Sequence, residues 1–538
     1  MKKIKLLFAV ILITTQSFYG QVRPKDVKIV KGETSKSKSF VSEIIGSEKN
    51  GSTYYIKKKK GSLFSGLKTK IILEKLNSDM TLTNSNELQF KTEGKNLHFQ
   101  FSTYLKGKIY VFSSFLNKKD RKQYLFVQSV NKSSLTLNND RKKIAEVPYK
   151  KKWTFGSDGY FIDGKSKDKS KFAIYYKLPY SKKENEKFGF HVFNDDMELI
   201  WENKVTLPYS DKLFEPVDYV IDNLGNTYLL GKIFKDRKEK SEKNKPRYRY
   251  HILRYSNMGK KLDEYPISIN EKFLNTLKLV VSDNQDLICG GFYSLIESKF
   301  LSYNEYVMGS FFLKIDGDSK KIVTKNFKEF DKELITQHLR KRQKRRAKKK
   351  IQKGKLLGLS DILIKDIIIK KDGGAYLVGE KEYSVTSTTT TTDANGHTST
   401  RTTTTYYANE ILVISVTPAG TIEWEEQIKK QQASGSYTYL SYAVANINDE
   451  LFFVYNDNPK NLDYKEGDKF RYFSPGRKAV TFLLKINKDG YQKRRILFSK
   501  KEIGVYADPT IHIQPEGTKD LIFHCNRGKK IRFIKLQF

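Results

Sequence analysis

The chain has 538 residues, with 100 Lys and Arg against 60 Asp and Glu, a formal net charge of +40. Two cysteines, Cys289 and Cys525, exclude a disulfide framework. Aromatic content of 13%, with 33 Tyr and 34 Phe, favours strands, whose pleated, half-buried surfaces suit aromatic and β-branched side chains.

The chain opens MKKIKLLFAVILITTQSFYGQ. Lys2, Lys3 and Lys5 form a basic n-region, and Leu6 to Ile13 an apolar run too short to span a bilayer. Residues 1–20 therefore read as a secretory signal peptide, cleaved near Ser17 or Gly20, and residues 21–538 as one exported domain. No cysteine follows the apolar run, which argues against a lipoprotein anchor, and no later stretch suggests a transmembrane helix. The expected address is the periplasm, the cell surface or the outside, and the expected form a monomer.

Beyond this leader, one phrase recurs. YVIDNLGNTYLLG (Tyr219 to Gly231) and IIIKKDGGAYLVG (Ile367 to Gly379) each read as strand, polar turn, strand and glycine. Each is followed by a further strand and glycine turn, YHILRYSNMGKKL and EILVISVTPAGTIEW. Fainter copies begin at Ser42, Ser102, Lys171, Leu277, Ser441 and Thr510, making eight candidate units of about 35 to 70 residues. A unit of this kind cannot bury its apolar faces alone and must stack on its neighbours. The spacing predicts an all-β fold: a single β-propeller of seven or eight blades. The last unit stops after its third strand, and DVKIVKG (Asp26 to Gly32) is the candidate to complete it.

Two insertions interrupt the pattern. Residues 331–358 hold Leu334, Ile335, His338 and Leu339 at helical spacing, then 11 Lys or Arg from Arg340 to Lys355; they predict one basic helix from about Asp331 to Lys353. Residues 384–407 are Thr-rich around Asp393-Ala394-Asn395-Gly396 and predict a protruding β-hairpin, with a two-residue primed turn at Asn395-Gly396.

The paired phrases resemble SBBP-type bacterial propeller repeats. Asp222, Gly225, Asn226, Tyr228 and Gly231 match the first half of that repeat, and Gly420 with Trp424 the second. The chain also resembles exported propeller-like proteins of Bacteroidetes-type bacteria. The resemblance implies the fold and no particular activity.

The chain holds no nucleophile elbow, phosphate-binding glycine loop or HExxH helix. His524 and Cys525 are adjacent on a strand and so point to opposite faces, which disfavours a shared metal. Asp316-Gly317-Asp318 reads as an ordinary turn. Trp153, Trp201 and Trp424 read as packing between blades. No cofactor or metal is expected, and no catalytic residue is nominated. The leading expectation is a non-enzymatic propeller that binds a protein or an anionic envelope polymer. Its contact residues would be Arg340, Lys341, Arg342, Lys344, Arg345, Arg346, Lys348, Lys349 and Lys350, and its contact with nucleic acid non-specific. A polysaccharide-active enzyme with its site at one channel mouth, and a docking scaffold in envelope assembly, are the alternatives.

Overall fold

The computed structural model describes residues 27–60, 69–92, 95–148, 160–179, 184–235, 248–267, 272–294, 307–339, 341–353, 357–465, 468–476 and 478–538. The leader at residues 1–20, Trp153 and Arg340 lie outside them.

Apolar residues alternate along short strands, and turns close consecutive strands into antiparallel meanders. Among the described residues eight sheets of four or more strands result, numbered as blades 1 to 8 in chain order from the sheet that begins at Phe40. Seven are built from consecutive segments. The eighth takes Tyr506–Ile513, Asp520–Arg527 and Lys530–Gln537 from the end of the chain and Lys28–Lys31 from its start. Lys28 pairs with Gln537 and Lys31 with Ile534, antiparallel. The strand expected in Asp26 to Gly32 thus supplies the missing outer strand.

The sheets form a ring because each pair of neighbours shares a core. Val41 and Tyr55 of blade 1 pack with Ile522 and Phe533 of blade 8. Ile56 of blade 1 packs with Val111 of blade 2, and Phe112 of blade 2 with Phe172 of blade 3, their rings stacked 5.1 Å apart. The same holds from blade 3 round to blade 8. Eight seams join eight blades, and the chain is a closed β-propeller.

The two tryptophans that the structure describes lie in these seams. Trp201 and Trp424 stand on the outer strands of blades 3 and 6. Their indole N–H groups donate to Gly225 O at 3.0 Å and Lys488 O at 2.7 Å in the following blade. A glycine at positive φ lies against each indole, Gly259 (+76°) and Gly490 (+84°). A Cβ on Gly259 would come within 2.8 Å of the Trp201 ring, so the close approach itself requires glycine. Cys289 and Cys525 are free and buried in different seams, between blades 4 and 5 and blades 7 and 8.

The repeat phrase is the inner two strands of a blade. Phe214–Ile221 with Thr227–Phe234, and Ile362–Ile369 with Ala375–Thr392, occupy equivalent places in blades 4 and 6. Turn geometry fixes their alignment: Gly225 (+87°) matches Gly373 (+88°), so Asp222 is equivalent to Lys370. In blade 7 the glycine turn becomes Asn448-Asp449, both at positive φ, between the paired residues Ile447 and Glu450.

Candidate functional site

In an antiparallel meander, connections fall on two faces by parity. First-to-second strand connections all leave on one face of the ring and run two to six residues. Second-to-third and blade-to-blade connections leave on the other. The basic segment, the Thr-rich hairpin and the long connection after Asp457 all belong to this second, insertion-bearing face.

The mouth on the turn face is crossed by one turn. In blade 3, the turn after Tyr160–Lys165 reaches two distant blades. Lys167 Nζ lies 2.6 Å from Asp283 of blade 5, and Lys169 Nζ 3.0 Å from Glu516 of blade 8. Exposed pairs of this kind contribute about 0–1 kcal/mol each, so they obstruct this mouth more than they hold the ring together.

The inner strands carry a polar lining. Ser102 of blade 2 donates to Glu43 of blade 1 at 3.2 Å. Asp163 and Lys165 of blade 3 are near enough to Glu43 to influence its charge, although blade 2 lies between them. Burial raises the pKa of Glu43, Asp163 and Asp218 and lowers that of Lys165. Lys165 still has accessible surface, as a residue facing an enclosed lumen would. His512 of blade 8 donates from Nδ1 to Pro509 O at 2.7 Å, and burial lowers its pKa.

Two of these acids had a legible signal. Asp218 and Asp366 immediately precede the repeat phrase in its two clear copies, each just after a β-bulge. A bulge re-aims a side chain, and here both carboxylates tie to the next blade. Asp218 accepts from Leu279 N at 2.8 Å, and Asp366 from the Tyr442 hydroxyl at 3.0 Å.

The rim of the insertion face between blades 6 and 8 is wired by buried polar groups. Lys430 and Glu380 form an ion pair at 2.7 Å with neither side chain exposed. Lys430 also donates to Ala408 O and Gln432, and Ser441 donates to Glu380. Gln432 donates to Asn456 O, and Asn456 to Ala507 O, which carries the network into blade 8. Lys365 and Tyr437 both reach Glu382 beside it.

The two insertions stand above this rim. The expected single basic helix is two segments, Lys332–Thr336 and Lys341–Gln352. The break falls where the chain docks. Leu334 enters the seam between blades 5 and 6, and His338 is half-buried with Nε2 3.1 Å from Gln427 O. Burial pushes the His338 pKa down to about 4, so it sits neutral. The second helix buries only Ala347 and exposes Lys341, Arg342, Arg345, Arg346, Lys348, Lys349 and Lys350, with Lys344 half-buried. It gathers those residues on one element; the inner-strand acids belong to other elements.

The hairpin runs in register from Ser384↔Tyr406 to Thr392↔Thr398 and stands exposed on both faces. Thr386, Thr388, Thr390 and Thr392 meet Thr404, Thr402, Thr400 and Thr398 across one face, with hydroxyl oxygens 3.0–3.4 Å apart. Its turn differs from the expected two-residue form. Gly396 alone has positive φ (+81°), and Asp393 N donates to His397 O while Gly396 N donates to Asp393 O. This is a three-residue loop with a glycine bulge. The Asp393 carboxylate selects it by accepting from both Asn395 N and His397 N at 2.9 Å.

Among the described residues no group of three His, Cys, Asp or Glu side chains is placed to hold a metal ion. His524 and Cys525 face different seams, with His524 beside the Phe533 ring and Cys525 in the seam between blades 7 and 8. No described helix is long and apolar enough to cross a membrane.

The chain matches no protein-family model and no curated protein. Among solved structures it is similar to the β-propeller domain of the Trilobed protease of Pyrococcus furiosus, at 12% identity over 88% of this chain and 98% of that one, TM-score 0.36. It is similar to the WD40 domain of SCAP from fission yeast, at 8% identity over 98% and 97%, TM-score 0.42. A protein of unknown function from Bacteroides caccae is similar at 9% identity over 67% and 90%, TM-score 0.27. These likenesses concern fold and carry no activity across.

Proposed function

We propose that this chain is an exported binding propeller that engages an anionic envelope polymer, or a protein partner bearing one, through its insertion face. The observation that carries the reading is the placement of the insertions. The exposed basic helix, the hairpin and the polar rim rise on one face, while the opposite mouth is crossed by ion-paired turns. Eight basic residues within Lys341–Gln352 concentrate charge on an element about 18 Å long. The SBBP-type reading of the repeats belongs to the same proposal: it names the unit and adds no ligand.

Reversing Arg342, Arg345, Arg346 and Lys349 to Glu is expected to lower the salt concentration that elutes the protein from heparin and to flatten the salt dependence of binding. Equal elution of variant and wild type would remove the helix from the proposal.

A second reading has one specific support, the half-buried acids Glu43 and Asp163 with Lys165 on the inner strands. If the channel hydrolyses a polysaccharide, Glu43→Gln and Asp163→Asn should each abolish release of reducing ends from the polymer that wild type cleaves. Activity that survives both substitutions would end this reading.

A further inference from the structure

A line of aromatic side chains, buried at Tyr464, Phe470 and Phe473 and open at Tyr472, joins the basic segment to the foot of the hairpin. From the helix it begins at His338, whose ring lies 6.4 Å from Tyr464. Tyr464 meets Phe470 edge-on at 4.9 Å, and Lys429 lies over Phe470 at 5.8 Å. The segment then pairs with the rim, as Phe473 N donates to Gln431 O and Ala433 N to Phe473 O. Ala433 in turn pairs with Tyr407 at the hairpin foot. There Tyr383 and Tyr407 stack almost parallel, centroids 4.6 Å apart and planes 9° from parallel. Tyr472 is 41% exposed and Val385 46%. Tyr472 adjoins Phe473, whose backbone pairs with the rim beside the hairpin foot, and burial pushes the Tyr383 pKa up to about 12.

Outward from the stack, the same hairpin face continues as Ser387, Thr403, Thr389, Thr391 and Ser399, with the cation Arg401 opposite Thr389, all exposed. Three chemistries therefore follow one another along one path: the cations of the helix, aromatic faces, and hydroxyls with one further cation, Arg401, among them. A bare polyphosphate needs only the first. A single-stranded nucleic acid uses the first two. A polymer that is at once charged, ringed with C–H faces and rich in hydroxyls uses all three.

We propose that this strip seats an acidic polysaccharide, with sugar rings on Tyr472 and the Tyr383–Tyr407 stack and acidic substituents against the helix. The assignment rests on the polyanion reading above and narrows it to one polymer class. The aromatic contribution is independent of salt, because ring contact involves no counterion release, whereas the helix contribution falls as salt rises.

Binding of a heparin hexasaccharide, inorganic polyphosphate and an oligo-dT strand, measured by calorimetry at about 0.15 M and about 0.5 M NaCl, separates the cases. Tyr472→Ala is expected to weaken hexasaccharide binding by about tenfold at both salts. It should leave the salt slope and polyphosphate binding unchanged. Tyr472→Phe, which keeps the ring, should bind like wild type and so serves as the folding control. An equal loss for polyphosphate, no loss for the hexasaccharide, or a matching loss for oligo-dT would each overturn the sugar assignment while leaving the helix reading standing. Failure of wild type to bind any of the three probes would instead overturn the reading under Proposed function, and this one with it.

Discussion

On the turn face, carboxylates serve the backbone. Asp222 accepts from Leu224 N and Asn226 N at 2.9 and 2.8 Å, and from Asn226 Nδ2 and the Tyr228 hydroxyl. Burial opposes ionisation of Asp168, but the Ser166 and Ser170 hydroxyls and the Ser170 N–H hold its pKa below the usual range. On the insertion face, carboxylates are buried beside lysines. Burial lifts Glu380 above the usual carboxylate range against the pull of Lys430. It lifts Glu186 to about 8, helped by Asp211 and opposed by Lys177. Asp457 rises to about 7 although Asn458 N–H and Asn461 favour its charge. The comparison separates two uses of one functional group. A short turn surrounds its acid with N–H donors and keeps it ionised. On the insertion face, burial outweighs the donors and cations around each acid.

The sharpest way to break this comparison is Lys430→Met. It strands Glu380 without its cation and is expected to cost about 3–5 kcal/mol in urea unfolding. The double variant with Glu380→Met should recover most of that loss. A small effect of the single change would show that solvent reaches the pair. On the turn face, Asp222→Ala removes the acceptor of two backbone N–H groups and is expected to cost about 2 kcal/mol, by the same measurement.

Glu186 tests the sign of the pH dependence. Its folded pKa is raised, so its favourable contribution is full below the unfolded value of about 4.3 and is lost as pH rises towards about 8. Unfolding midpoints measured from pH 5 to pH 8 should therefore fall less steeply in Glu186→Gln than in wild type. Asp168, with a lowered pKa, should act in the opposite sense, losing its contribution as pH falls. Identical pH profiles for Glu186→Gln and wild type would place the carboxyl in ordinary solvent contact. The smallest expected effect comes from replacing Val385–Thr405 with a short glycine turn. That segment is largely exposed, and stability should stay within about 0.5 kcal/mol of wild type by thermal unfolding.

What was legible in the sequence was local. Tyr219–Gly231 and Ile367–Gly379 revealed the inner strand pairs because apolar alternation and turn residues repeat within a dozen positions. The closing strand at Lys28–Lys31 was legible by counting, since the last unit lacked a partner. The misreadings were also local, where two chemistries competed. Gly396 suited a primed turn, but Asp393 captured the loop through its own carboxylate. Helix-forming residues ran unbroken past His338, yet docking against Gln427 O interrupts the helix. The candidate site was mostly illegible. Lys167 meets Asp283, and Lys169 meets Glu516, across the ring, and Glu380 finds Lys430 only through the hairpin between them. Pairings at such separations leave no periodicity. Only the aspartates preceding each phrase, Asp218 and Asp366, carried a positional mark.

The pairing of Lys28–Lys31 with Ile534–Gln537 has a kinetic consequence. Blades 1 to 7 are assembled from consecutive segments, so each can form as soon as its own strands are available. Blade 8 cannot, because its outer strand is made first and its neighbour last. Until the two meet, Lys28–Lys31 has no partner and Lys530–Gln537 presents an open edge, the kind of edge on which other chains add. Such long-range pairing is slow to form, since loop closure must precede any reward in contacts. Completion of the ring is thus a late event, and the interval before it is when the protein is most exposed to aggregation.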